Sequence, residues 1–199
     1  MLFRSPLMPQ GIAEWSWLAI SLSVIGVVYA AMMAWVQKDF KRMVAYASMS
    51  HVGLIAAGIF TADAMALRGA SYQMFSHGVN AIGLFYVAEI LRRRFQDRTM
   101  DEMGGLAHVS RSFAIGFMII LLGAVALPLT NGFVGEFMLL GGIYNYGAWT
   151  TAFAGLSVIL GAVYMLNAYR KISLGEEGNA SASFTALTRI EMAVLLVVD

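Results

Sequence analysis

Three residues of this chain, Glu136, His77 and His51, have side chains that could pass protons within an apolar setting. Glu136 is the only charged residue between Arg111 and Arg170, in a run, GFMIILLGAVALPLTNGFVGEFMLLGGIY, that is otherwise apolar. A carboxylate at membrane depth costs about 2.5–3.5 kcal/mol on insertion scales; such groups face a bundle interior or a water-filled path and tend to be functional. Pro128 lies eight residues earlier and is followed by Thr130, Asn131, Gly132 and Gly135. Proline removes an amide donor and crowds the preceding turn, so a helix break is expected around Pro128–Gly135, with Thr130 or Asn131 as the cap of a second half-helix. Glu136 is then expected in about the first turn of that half-helix. There the helix dipole favours its charge and desolvation opposes it. A broken helix beside a buried carboxylate is an arrangement used by ion-translocating proteins. The alternative is a simple kink with Glu136 as a hydrogen-bonded packing residue.

The supporting polar groups fall in two further apolar stretches. Gln73, His77 and Asn80 are spaced four and three apart and share one helical face, with Ser76 beside them. Histidine exchanges protons near neutrality, so His77 is either a path residue or a ring satisfied by a polar neighbour. In KRMVAYASMSHVGLIAAGIF, Ser48, Ser50 and His51 either line a water chain or tie helices together, with Gly53, Ala57 and Gly58 as close-packing positions. Glu89 stands one turn before Arg92 and Arg93, an expected terminal ion pair. Asp39, Lys41 and Arg42 form a charged tip, and His108 in DEMGGLAHVSR is expected in solvent.

Long apolar elements must carry these groups. Of 199 residues, 59% are hydrophobic and 13% charged, where a soluble domain has about 25% charged. Five apolar segments are predicted as crossing helices: 15–36, 43–60, 69–91, 112–146 with the break, and 149–169. About 20 residues span a bilayer. A sixth segment starts near Ile190 and is cut short by the end of the sequence at Asp199. The fold class is therefore all-α, a polytopic transmembrane bundle over 1–199. Continuous rather than alternating apolar runs argue against a β-barrel.

Charge placement orients the bundle. If the segments cross in turn, the loops 37–42, 92–111 and 170–189 share one side and hold every basic residue except Arg4 and Arg68. The positive-inside rule makes that side cytoplasmic. Trp15, Trp17, Trp35 and Trp149 sit near segment ends, as interfacial anchors do. The N-terminus lacks the layout of a cleaved signal peptide. With no cysteine, thiolate-bound metal, iron–sulfur clusters and disulfides are excluded within this chain. The three histidines are too scattered for a metal cluster, and a net charge of +1 gives no sign of nucleic acid.

Three stretches carry a resemblance. DFKRMVAYASMSHVGL (39–54), YQMFSHGVNAIGLF (72–85) and LPLTNGFVGEFMLL (127–140), with MGGL (103–106) in between, resemble the antiporter-like membrane subunits of respiratory complex I over roughly residues 1–175. Most of that family carries lysine at the broken helix; a glutamate there resembles the M-type branch. The resemblance implies a fold of two inverted five-helix repeats, of which this chain is similar to the second, and a role in proton translocation driven by electron transfer elsewhere in the complex. It implies that Glu136 ends a half-channel, with His77 and His51 on the same path. It further implies no cofactor or redox centre in this chain, and other complex I membrane subunits, lipid and internal water as its partners. The first repeat's broken helix, glutamate and two lysines have no counterpart here, so the chain is expected to be a fragment or truncated product. A cation/proton antiporter or membrane-bound hydrogenase subunit of the same fold is the alternative function, and a purely structural scaffold a third.

Overall fold

The computed structural model describes residues 9–95, 99–175, 187, 188, 191, 192 and 195, with side chains from residue 14 onward. These residues are helical with no strand among them. The seven α-helices are α1 (Pro9–Trp35), α2 (Phe40–Phe60), α3 (Ala64–Arg94), the short α4 (Leu106–Val109), α5 (Arg111–Ala124), α6 (Asn131–Tyr146) and α7 (Ala148–Tyr169). A 3-10 turn (Met100–Glu102) precedes α4 and a π-type turn (Arg170–Leu174) follows α7.

The all-helical bundle agrees with the sequence, but the count of full crossings does not. Among the described residues, four stretches are long and apolar enough to cross a membrane: Glu14–Trp35, Phe40–Phe60, Ala64–Arg94 and Ala148–Leu174. The fourth expected helix, 112–146, is broken as expected, into two half-length helices, α5 and α6, separated by residues 125–130. Of the expected sixth segment only Glu191, Met192 and Leu195 are described, and they are helical. The rest of it, with Arg4, Arg98 and Arg189, lies outside the described residues.

Local chemistry sets the helix ends. Asp39 caps α2, its carboxylate accepting from the amides of Lys41 at 2.8 Å and Arg42 at 3.3 Å. Asp63 caps α3 in the same way, from Met65 at 2.8 Å and Ala66 at 3.0 Å. The other Asp63 oxygen takes the Asn145 amide at 3.1 Å, linking the start of α3 to the end of α6. The Ala66 amide first, then the Asn145 amide, hold the Asp63 carboxyl below its ordinary range. Glu89 pairs with Arg92 at 2.7 Å and Arg93 at 2.9 Å, as its spacing suggested.

The basic loops that charge counting put on one side meet at one end. Thr99 pairs with Asp39, the Met100 amide donates to the Lys38 carbonyl, and Lys171 lies 2.6 Å from Asp101. His108 is exposed, as expected, yet the loop around it is no solvated linker. Met103 and Leu106 of MGGL are buried and join a large apolar cluster. That cluster draws on Phe40 and Met43 of α2, Leu91 of α3, Phe113 and Phe117 of α5 and Tyr169 of α7. A second cluster, built on Ile20 and Val27 of α1, Leu54 of α2, and Leu139 and Ile143 of α6, fills the opposite half. Along α2 and α3 the candidate site lies between the two clusters.

Candidate functional site at the helix break

The break begins where α5 runs out of backbone partners. Pro128 sits in it as the sequence predicted, but Gly132 and Gly135 lie inside α6 rather than in the break. Two non-glycine residues with positive φ shape the turn, Ala126 at 56° and Leu129 at 83°. The left-handed region disfavours a side chain, and such strain collects at functional sites. Thr130 takes the N-cap position of α6, but its side chain is not the cap. The hydroxyl donates backward to the Leu127 carbonyl at 2.7 Å. Asn131 opens α6, and the side-chain oxygens of Asn80 and Asn131 both lie close beside Gly123, 3.1 and 3.4 Å from where its Cβ would be. Asn80 donates to the Gly123 carbonyl at 3.1 Å. Gly123 is at the end of α5, where carbonyls lose their intrahelical donors. Asn80 therefore stabilises the break, while Gln73 and His77 of the same face line a small cavity.

Glycines bring α6 onto α3. A Cβ on Gly135 would strike the Gln73 side chain, and one on Gly142 the backbone of Ala66. A Cβ on Gly132 would meet the Gly123 carbonyl and Ala126. Small residues at helix crossings let backbones approach this closely in membranes. The contact places Glu136, sixth in α6 and so in its second turn rather than its first, against α2 and α3.

Glu136 is 4% exposed, and its Oε1 lies 3.0 Å from Nδ1 of His51. His51 and His77 face one another with ring centroids 5.2 Å apart. Nε2 of His77 lies 2.8 Å from the Ser48 hydroxyl. The polar order is thus Glu136, His51, His77, Ser48, passing from α6 to α2, across to α3 and back to α2. A cavity of about 10 Å³ lies among Ser48, His51, Gln73, His77 and Asn80, closed on other sides by apolar groups such as Val44 and Met165. Gln73 Oε1 and Ser76 Oγ are buried with no hydrogen-bond partner among the described residues.

The structure therefore brings together Glu136, His51, His77, Gln73 and Asn80, and sets Gly132 and Gly135 to close packing. Ser50 goes elsewhere, donating to the Val27 carbonyl of α1 at 3.0 Å, which is the helix-tying alternative. Ser48, expected on a water chain or as a helix tie, meets His77. One residue was not singled out by its own pattern. Tyr164 of α7 is buried within range of the Glu136 charge, and nothing local in its apolar helix marks it. Among the described residues no group of histidines and acids could hold a metal ion.

The chain that carries this arrangement has relatives. Residues 1–163 match the transmembrane family described as NADH:quinone oxidoreductase/Mrp antiporter, and the chain belongs to that family. It is 41% identical over 174 residues to NADH-quinone oxidoreductase subunit M of Rickettsia prowazekii, covering 87% of this chain and 35% of that protein. It is 34% identical over 200 residues to subunit M of Escherichia coli K12, covering 98% and 39%. The chain thus spans little more than a third of the relatives it matches. Among solved structures it is similar to a chain of respiratory complex I from Thermus thermophilus, with 35% identity, a TM-score of 0.91, and coverage of 98% of this chain and 41% of that one. The Mrp complex of Dietzia shares the fold, at 21% identity and a TM-score of 0.77 over 81% of this chain and 30% of that one. The resemblance to the complex I membrane subunits is borne out.

Proposed function

We propose that this chain forms the second proton-transfer half of an antiporter-like subunit of NADH:quinone oxidoreductase. The observation that carries the proposal is the 3.0 Å approach of His51 to Glu136 at the helix break. A buried carboxylate beside an imidazole is a two-position proton store. When the proton sits on the histidine, ionised Glu136 stabilises it; when it sits on the carboxyl, both are neutral. A charge arriving nearby shifts that balance, because electrostatics act over longer range where water is scarce. Glu136 then exchanges protons with one side of the membrane, and His51 and His77 hand them inward. Electron transfer in the rest of the complex supplies the driving change, and no redox centre is assigned to this chain.

The residues 1–199 act in this reading as one membrane domain resembling the second inverted repeat, with further complex I membrane subunits as partners. The membrane is a bacterial inner membrane, with the loops 37–42, 92–111 and 170–189 in the cytoplasm. The positive-inside rule supports this placement, as does the meeting of the described parts of those loops at one end. The antiporter alternative draws on the shared family, but the higher identity to complex I subunits favours the first reading.

Replacing Glu136 with glutamine in the full-length subunit tests the proposal. An assembled complex that oxidises NADH with fewer protons moved per NADH is expected. An assembled complex with an unchanged ratio would overturn the role of Glu136.

A further inference from the structure

We propose that Gln73 holds a single water molecule between His51 and His77 and is thereby a positioning residue of the proton path. The inference rests on the proton-path reading above and adds the element that path lacks. The two imidazole rings are 5.2 Å apart between centroids and tilted by 35°, and each has one nitrogen committed elsewhere. His51 presents Nδ1 to Glu136, and His77 presents Nε2 to Ser48. The pair is thus joined at its outer ends, and nothing joins it in the middle.

The cavity bordering both rings has about 10 Å³, close to the least volume that admits one water. Such a water also needs two to four polar partners. His51, His77, Asn80 and Gln73 all line the space. Asn80 has its amide donor committed to Gly123. Gln73 is different, since its side-chain oxygen is buried with no partner among the described residues and the residue is 3% exposed. An unpaired buried acceptor costs about 1–3 kcal/mol, which a donated hydrogen bond from water would relieve.

Gln73 is also held in place. Its side chain lies where a Cβ on residue 135 would fall, so glycine at that position lets α6 close over the amide. One water bonded to Gln73 is oriented by it. Its other hydrogen and its lone pairs then face the rings. A proton leaving the free nitrogen of His51 enters the water as the water gives one of its own to His77, and the reverse passage is equivalent. The count of protons balances without any further reactant.

The test uses the full-length subunit in the assembled complex, with Gln73→Met as the variant. Methionine nearly matches glutamine in length and volume, so a packing role alone would survive the change. A structure at a resolution that shows water should place one within hydrogen-bond reach of Gln73 and both histidines in the wild type, and not in Q73M. Protons moved per NADH should fall in Q73M as far as in E136Q. No water at that place in the wild type, or a wild-type ratio in Q73M, would overturn the proposal. If E136Q keeps the wild-type ratio while the water is seen and is lost in Q73M, the water site stands and the proton-path reading fails.

Discussion

The polar layer at the middle of the bundle and the apolar cluster beside the 38–40 and 99–106 segments are built from the same helices and behave oppositely. In the cluster, aromatic rings meet edge to face, as Phe40 and Phe117 do with centroids 5.4 Å apart. A turn or two further along α2 and α3, serine, glutamine, histidine and asparagine fill the same kind of interior position. The cluster excludes water and gives a proton no resting place. The layer sets Glu136 within hydrogen-bond reach of His51, with His77 beside it, and Glu136 is the one acidic side chain it holds among the described residues. On the proposed proton-transfer reading, the difference makes the end next to the basic loops a seal and the layer the place where protons rest.

The comparison can be broken most severely at the seal. Phe117→Ala should remove a fully buried ring and cost about 3–5 kcal/mol, and thermal unfolding of the detergent-solubilised subunit should show it. If the seal matters, the membrane should also become leakier to protons under a pH gradient. Loss of stability with no leak would restrict the cluster to packing.

Asn80→Leu is expected to act at the boundary between break and path. It removes the 3.1 Å donor from the Gly123 carbonyl, which keeps the Ala126 amide at 3.2 Å, so the cost should be that of one hydrogen bond, about 0.5–1.5 kcal/mol. Stability should fall without loss of the His51–Glu136 contact. A larger effect on proton movement than on stability would move Asn80 from the break to the path.

Asp39→Ala removes the N-cap of α2 and should cost about 1 kcal/mol. The loss should be read as earlier unfolding near the 38–40 end and leave the polar layer unchanged.

The smallest effect is on pH. Glu191 takes two bonds from the Arg94 guanidinium, at 3.1 and 2.6 Å, and one from the Thr188 amide at 2.9 Å. The Arg94 pair first, and the Thr188 amide after it, hold its carboxyl down at about 2 from an ordinary 4.5. A depressed carboxylate adds stability above its unfolded value and loses it as pH falls toward the folded one. Stability should therefore decline between about pH 4.5 and pH 2, and Glu191→Gln should flatten that decline. Titration by thermal unfolding of both forms would measure it.

Much of this was legible in the chain, for identifiable reasons. Length and apolar character marked α1, α2, α3 and α7, since a membrane helix satisfies its own backbone and needs little tertiary information. Pro128 marked the break, but not its course. The turn closes with Thr130 bonding backward and Asn80 reaching in from another helix, and neither follows from local spacing. The Gln73–His77–Asn80 face was visible as a period. That its last member would serve the Gly123 carbonyl required knowing where α5 ends. Likewise Ser48 and Ser50 are equivalent in sequence, two residues apart on one helix. Only the neighbours of α2, α1 on one face and α3 on the other, assign Ser50 to packing and Ser48 to His77. The burial of MGGL is not visible from its polar flanks, because it comes from the π-type turn packing beside it, with Gly175 against Gly104.

The central claim is that Glu136 changes protonation during turnover. Infrared difference spectra of the full-length complex, with and without turnover on NADH and quinone, observe a protonated carboxyl directly. The account expects a carboxyl band that changes with turnover and is missing in E136Q. A turnover spectrum identical in wild type and E136Q would contradict it.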